Sequence, residues 1–239
     1  GMAETDAISM SNLWPQPYGV SVRKGTQKHV TGLPSSVDTL AQWVSATNTA
    51  KLYAWAGANF YDVTSSGVVG AALVTALTNS VWQTTMMGNT AGNFLICLNG
   101  ADDGIFVSPA GVVGRIEGGN GVNKWDSIDP ALCIQPLVHM GRLWVVEKGT
   151  TRGWYFPTGA VEGVSLSFDF GPLFGRGGEL QMLGTWTMDD GNGAEDHLVA
   201  VSSRGDIVTY AGTDPSDDTT WSMVGQYYAG APVSGRRGL

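Results

Sequence analysis

Four times along the chain, an apolar-rich run gives way to a polar, glycine-containing turn. A second run then ends on an aromatic residue or valine before a Gly, Ser or Pro break. The segments are KLYAWAGANFYDVTSSGVVG from Lys51, NFLICLNGADDGIFVSPAGVVG from Asn93, RLWVVEKGTTRGWYFPTGAVEG from Arg142 and HLVAVSSRGDIVTYAGTDPS from His197. The first two share the tail GVVG, and successive starts lie 42, 49 and 55 residues apart. Turn residues between short apolar runs signal a hairpin. Recurrence at roughly 40–50 residues belongs to repeated β-sheet units, of which propeller blades are the best known. Further strand-like runs from Ser80, Ala131 and Glu179 each lead toward the next hairpin. The repeated unit is then one strand, a loop, and a hairpin with a further outer strand. Such a sheet has two apolar faces and cannot bury both alone, so it must stack on neighbours. The expected fold class is all-β: a β-propeller-like array of small antiparallel sheets. Because the spacing drifts, a two-sheet β-sandwich is the alternative.

Composition agrees. Charged residues make up 14% of the 239, below the roughly 25% of ordinary soluble domains, while there are 34 glycines and nine tryptophans. That suits many short strands and tight turns, not a helical bundle. Residues 1–16 are polar, lack periodicity and read as a flexible N-terminal arm or docking segment; residues 17–239 read as one propeller-like domain. Val37–Val44 fits a strand or a short helical turn. The net charge of −8 argues against sequence-independent binding to a phosphate backbone, and Arg236 and Arg237 read as a solvated tail. No run of 18 apolar residues is present, so no membrane span is expected.

Little in the sequence points to catalysis. His29, His139 and His197 are far apart and read as surface or satisfied interior imidazoles. Cys97 and Cys133 sit in apolar surroundings and read as buried, inert thiols, not metal ligands. There is no GxSxG elbow, phosphate loop or CxxC pair, and GRGGEL from Gly175 reads as a turn. Asp102-Asp103-Gly104 fits a hairpin turn. The denser loop after Asp189 offers several oxygen ligands, making Asp189, Asp190 and Asn192 the calcium candidates. The loop lacks the alternating acidic order of a calcium-binding helix–loop–helix, and a solvated turn is the competing reading. A sialidase would need converging arginines and a repeated S-x-D-x-G-x-x-W turn; the nearest approach, DPSDDTTW from Asp214, lacks the glycine. The tryptophans are expected to pack between sheets.

Several stretches resemble a family of tailed-bacteriophage structural proteins: GLPSSVDTL from Gly32, the hairpins at Lys51 and Arg142, Phe168–Pro215, and GAPVSGRR from Gly230. The TWT-acidic loop, the S-x-G-[DE]-[IV] turn and the GTDP run are its most specific parts. The style is similar to the propeller-like tail-hub proteins of short-tailed phages. The resemblance implies a non-enzymatic virion protein of the tail or head–tail connector, without a cofactor. It would contact portal, connector or tail subunits, or further copies of itself, with no direct nucleic-acid binding. It would be found in the virion tail, and in the host cytoplasm during assembly. Relatives continue past the GRR segment with strand-rich sequence, so a closed ring would lack blades here and a sheet edge would be left to pair. The alternative is a glycan-binding or glycan-cleaving propeller used in host adhesion, which predicts a cleft with clustered arginines or exposed tryptophan.

Overall fold

The computed structural model describes residues 11–189, 194–230 and 232. Twenty strands and two single 3-10 turns, Pro130–Leu132 and Gly171–Leu173, make up its regular structure. Four antiparallel sheets follow one another in chain order. The first holds β4 (Val37–Val44), β5 (Ala50–Ala56) and β6 (Asn59–Asp62). The second holds β8 (Gln83–Asn89), β9 (Gly92–Leu98), β10 (Gly104–Val107) and β11 (Val113–Gly118), with β12 (Lys124–Trp125) added in parallel. The third is β13 (Cys133–His139), β14 (Arg142–Glu147), β15 (Arg152–Tyr155) and β16 (Leu166–Asp169). The fourth is β17 (Leu180–Asp189), β18 (Ala194–Ser202), β19 (Asp206–Ala211) and β20 (Ser222–Tyr228). Two small pairs precede or flank the first sheet: the hairpin β1 (Leu13–Gln16) with β2 (Gly19–Val22), and the parallel pair β3 (Val30–Thr31) with β7 (Gly67–Val68).

Strand alternation explains why the sheets stack. Successive side chains of a strand point to opposite faces, so a strand apolar at every position needs cover on both sides. In β9, Leu95 and Cys97 join the core with Tyr53 and Trp55 of the first sheet, while Ile96 and Leu98 join the core with Leu143 and Val145 of the third. β14 repeats the device: Leu143 and Val145 face back, and Trp144 and Val146 pack against Leu198, Ala200 and Val208 of the fourth sheet. Three layers of core thus lie between four sheets, which is the propeller-like array that the repeats imply. A two-sheet sandwich has one such layer. Each fully buried large apolar side chain contributes about 1.5–3 kcal/mol. Tryptophan dominates the layers. Trp55 stacks on Trp82 at 5.7 Å, and Trp144 on Trp221 at 5.9 Å. Trp125 meets Phe156 at 5.0 Å in the middle layer.

A fourth core cluster covers the far side of the first sheet. Ala54, Ala56, Tyr61 and Val63 lie beneath Val30, Leu33, Val69 and Ala72. Among the described residues, no core cluster joins the fourth sheet back to the first.

Two local readings resolve here. Val37–Val44 is a strand: Thr39, Ala41 and Trp43 are buried while Asp38, Leu40 and Gln42 are exposed, a period of two. In the segment read as an arm, Leu13–Gln16 pairs with Gly19–Val22, and every residue from Ser11 to His29 is exposed. The bare Gly114 has a packing reason. It sits opposite Phe106, and a Cβ there would come within 2.5 Å of that ring.

Candidate functional site

Neighbouring sheets are joined by side chains that reach across to backbone, and the seam between the third and fourth sheets is the most developed case. Gln135 on β13 donates from Nε2 to the Leu183 carbonyl at 2.9 Å and accepts the Leu183 N–H at 2.8 Å. It behaves as a one-residue strand extension, satisfying both main-chain groups on the free inner edge of β17. Four residues on, His139 Nδ1 meets Thr185 Oγ1 at 3.1 Å.

A cleft opens at each end of this seam. The larger, of about 640 Å³, is lined by Thr150, Thr151, Arg152, Asp169, Glu179 and Arg204, with Ser203 and two glycines. Its wall is ordered by Glu147, a buried carboxylate. Glu147 accepts two hydrogen bonds from Arg152, at 2.8 and 2.9 Å, and a third from Trp154 Nε1 at 2.8 Å. The hydrogen bond and charge of Glu147 hold the Arg152 guanidinium protonated, with its acidity weakened further. Opposite, the Thr151 hydroxyl and the Gly171 N–H both donate to Asp169, at 2.5 and 2.8 Å, which holds that carboxyl below its usual range. Arg204 reaches the Arg176 carbonyl at 3.4 Å. The cleft therefore presents two guanidinium groups, two carboxylates and three hydroxyls.

The smaller cleft, of about 350 Å³, is lined by Met140, Glu195, Asp196, Gly212, Thr220 and Ser222, with Ala211. Nearby, His139 and His197 are both buried, the interior one of the two placements expected, with one ring nitrogen of each left unpartnered. His139 Nε2 and His197 Nδ1 have no hydrogen-bond partner among the described residues. Burial pushes the His139 pKa down, against a smaller opposing pull from Asp196. His197 Nε2 lies 3.7 Å from Glu195. These residues are far apart in sequence, so spacing gave no signal that the strands would bring the two rings near one another.

Of the calcium candidates, Asp190 and Asn192 lie outside the described residues, and the Asp189 backbone ends β17, paired with Ala194. Among the described residues, no group of three or more His, Cys, Asp or Glu side chains is arranged to hold a metal. Cys97 and Cys133 are buried and unpaired, and burial raises both thiol pKa values well above normal, the inert state that their surroundings imply. Asp102 does turn-building work: it accepts from the Thr78 N–H and hydroxyl and from Asn99. Among the described residues, no helix is long and apolar enough to cross a membrane.

The remaining surface of note is β20. It is the outermost strand of the fourth sheet, it has no charged residue, and Met223, Val224, Tyr227 and Tyr228 are each about half exposed. Arg176 lies over the Tyr228 ring, 3.5 Å from its centroid. The outer edges of the other sheets are either covered or short. β12 flanks β11, Val74 bridges to Phe60 of β6, and β16 is only four residues long.

No protein-family model and no curated protein matches the chain. Among solved structures, the chain is similar to BBS1N as crystallised in complex with ARL6DN, at 12% identity and a TM-score of 0.47. That likeness covers 88% of this chain and 58% of the other, so the chain spans less than two thirds of that structure.

Proposed function

We propose that the chain is a non-enzymatic structural protein of a phage or prophage virion, in the tail or the head–tail connector, acting through protein–protein contacts. The observation that carries the contact role is β20: a seven-residue, uncharged outer strand with four half-exposed large side chains. Edge strands of that kind pair readily unless they are guarded by charge or proline. The virion setting is supported by the sequence resemblance, whose most specific parts lie within Phe168–Pro215. Three layers of aromatic core between four sheets supply the rigidity that a docking part needs. The test is mass spectrometry of purified virions, together with capture of portal and tail subunits by the tagged protein. Absence from particles, with no such subunit captured, defeats the reading.

The larger cleft favours a second reading, in which the array binds an acidic glycan through Arg152 and Arg204. A glycan array separates the two. Hits that disappear on Arg204→Ala support saccharide binding, and a blank array removes it.

A further inference from the structure

Among the described residues the hairpin β1–β2 has no covering partner and every residue in it is exposed, yet it is apolar. Trp14 is 59% exposed and Val22 76%, and Leu13, Tyr18 and Val20 also lie open. A lone two-stranded hairpin is at best marginally stable in water, so what this one lacks is a covering surface. Its charge indicates which. From Ser11 to His29 the charged side chains are Arg23, Lys24 and Lys28, with no acid among them. Setting aside these three of the 13 basic residues, and Glu4 and Asp6 of the 21 acidic ones, residues 30–239 keep 10 basic and 19 acidic side chains. Residues 11–29 are basic and greasy, and residues 30–239 are acidic.

We propose that the hairpin docks on a second copy of this chain, with β2 adding antiparallel to the outer edge of that copy's β20. The acids sit at one end of β20. Asp214, Asp217 and Asp218 lie in the loop before it, and Glu195 and Asp196 line the small cleft beside Ser222. Antiparallel addition carries Arg23 and Lys24, which follow β2, toward that acidic end. Parallel addition would carry them to Tyr228, where Arg176 already lies over the ring. Length fits as well. Pairing with β19 leaves Val224 as an extra, bulged residue, so Gly225–Tyr228 is the regular stretch, matching the four residues of β2. Strand addition of this kind takes affinity from main-chain hydrogen bonds and specificity from alternate side chains. Donor and acceptor surfaces differ, so each copy gives one arm and receives one, and the contact closes into a ring or propagates. The inference stands apart from the virion reading, which a monomeric protein would leave intact.

Sedimentation velocity on the full chain tests it, with two exposed-site variants. Val22→Asp spoils the arm and keeps the acceptor; Met223→Lys keeps the arm and sets a cation against Arg23 and Lys24. The expected result is a self-associating parent whose affinity falls roughly tenfold or more on screening at ~0.5 M salt. Each variant alone should be a monomer with an unchanged circular dichroism spectrum, and the two mixed should form a dimer. In a mixture of isotopically light and heavy chains, carboxyl-to-amine cross-links should join Lys24 of one mass to Asp217 or Asp218 of the other. A parent that stays monomeric at ~100 μM in low salt overturns the proposal. So do variants that still assemble, or cross-links confined to single chains.

Discussion

Replacing Gln135 with leucine tests the idea that side chains stitch the sheets together. Leu183 is in the core, and its N–H and C=O face away from β18 toward Gln135, which satisfies both. Leucine has a similar volume and no polar atoms, so the substitution leaves a buried donor and a buried acceptor without partners. Each orphaned group costs about 1–3 kcal/mol. A modest gain from burying the leucine methyls offsets part of this, so the expected loss is about 2–4 kcal/mol. That is a large fraction of the roughly 5–15 kcal/mol by which a domain is stable. Urea unfolding followed by tryptophan fluorescence reads the midpoint, and amide exchange along β17 should speed up more than exchange along β9.

Gln135→Glu sharpens the test. Its carboxylate can still accept the Leu183 N–H but repels the Leu183 carbonyl. Protonation restores a donor, so the folded state holds that carboxyl's pKa above its unfolded value. The penalty should shrink as pH falls toward the unfolded carboxyl range and grow as pH rises through the folded pKa. A Gln135→Leu loss below about 1 kcal/mol, or a Gln135→Glu penalty independent of pH, would refute the stitching argument.

Three further outcomes are expected. His139 is buried with a lowered pKa, so the unfolded chain binds the extra proton more readily; stability should fall as pH drops below the ordinary histidine value of about 6.5. Urea midpoints measured from neutral pH to ~5 should show that slope, and His139→Asn should flatten it. Tyr53 is fully buried, its hydroxyl has no partner among the described residues, and burial, aided by the Asp62 charge, pushes its pKa to about 12. Tyr53→Phe should therefore be neutral or stabilising by about 1 kcal/mol in thermal melts, with no change in spectrum. At Gly212, with φ near +117°, a Cβ would lie 1.8 Å from the Thr220 carbonyl oxygen, so Gly212→Ala should cost about 3 kcal/mol or more and show as protease sensitivity in the loop before β20.

The stacked sheets were legible because strands in the middle of such an array must be apolar on both faces. FLIC at Phe94–Cys97 and LWVV at Leu143–Val146 are unbroken apolar runs, too short for a helix and bounded by turn residues. Val37–Val44 stayed ambiguous because it holds only three buried positions, and a short stretch satisfies two periods at once. The seam chemistry was not legible. Gln135, His139 and Thr185 matter through which inner strands become neighbours, and nothing local to any of them records that. Glu147 resembles any strand-end carboxylate until β15 brings Arg152 and Trp154 alongside it. Asp102 was readable, because turn chemistry is local.

The same contrast locates where this chain keeps its unspent apolar surface. Within the first three sheets, and on the inner side of the fourth, most large apolar side chains are covered by a neighbouring sheet or, beyond the first sheet, by the segments around Leu33 and Val69, with Leu40, Leu166 and Trp186 as isolated exposed positions. Two strand elements gather four or more exposed large apolar side chains each, and they lie at opposite ends of the described chain: the hairpin with Trp14 and Val22, and β20 with Tyr227 and Tyr228. Both are strands with a free edge, one flanked by cations and the other by carboxylates. A chain with only 14% charged residues has few charges with which to guard its edges. Leaving these two strands bare while placing opposite charges beside them costs solubility unless the edges are covered by pairing, and that is the physical case for reading this protein as a part that assembles.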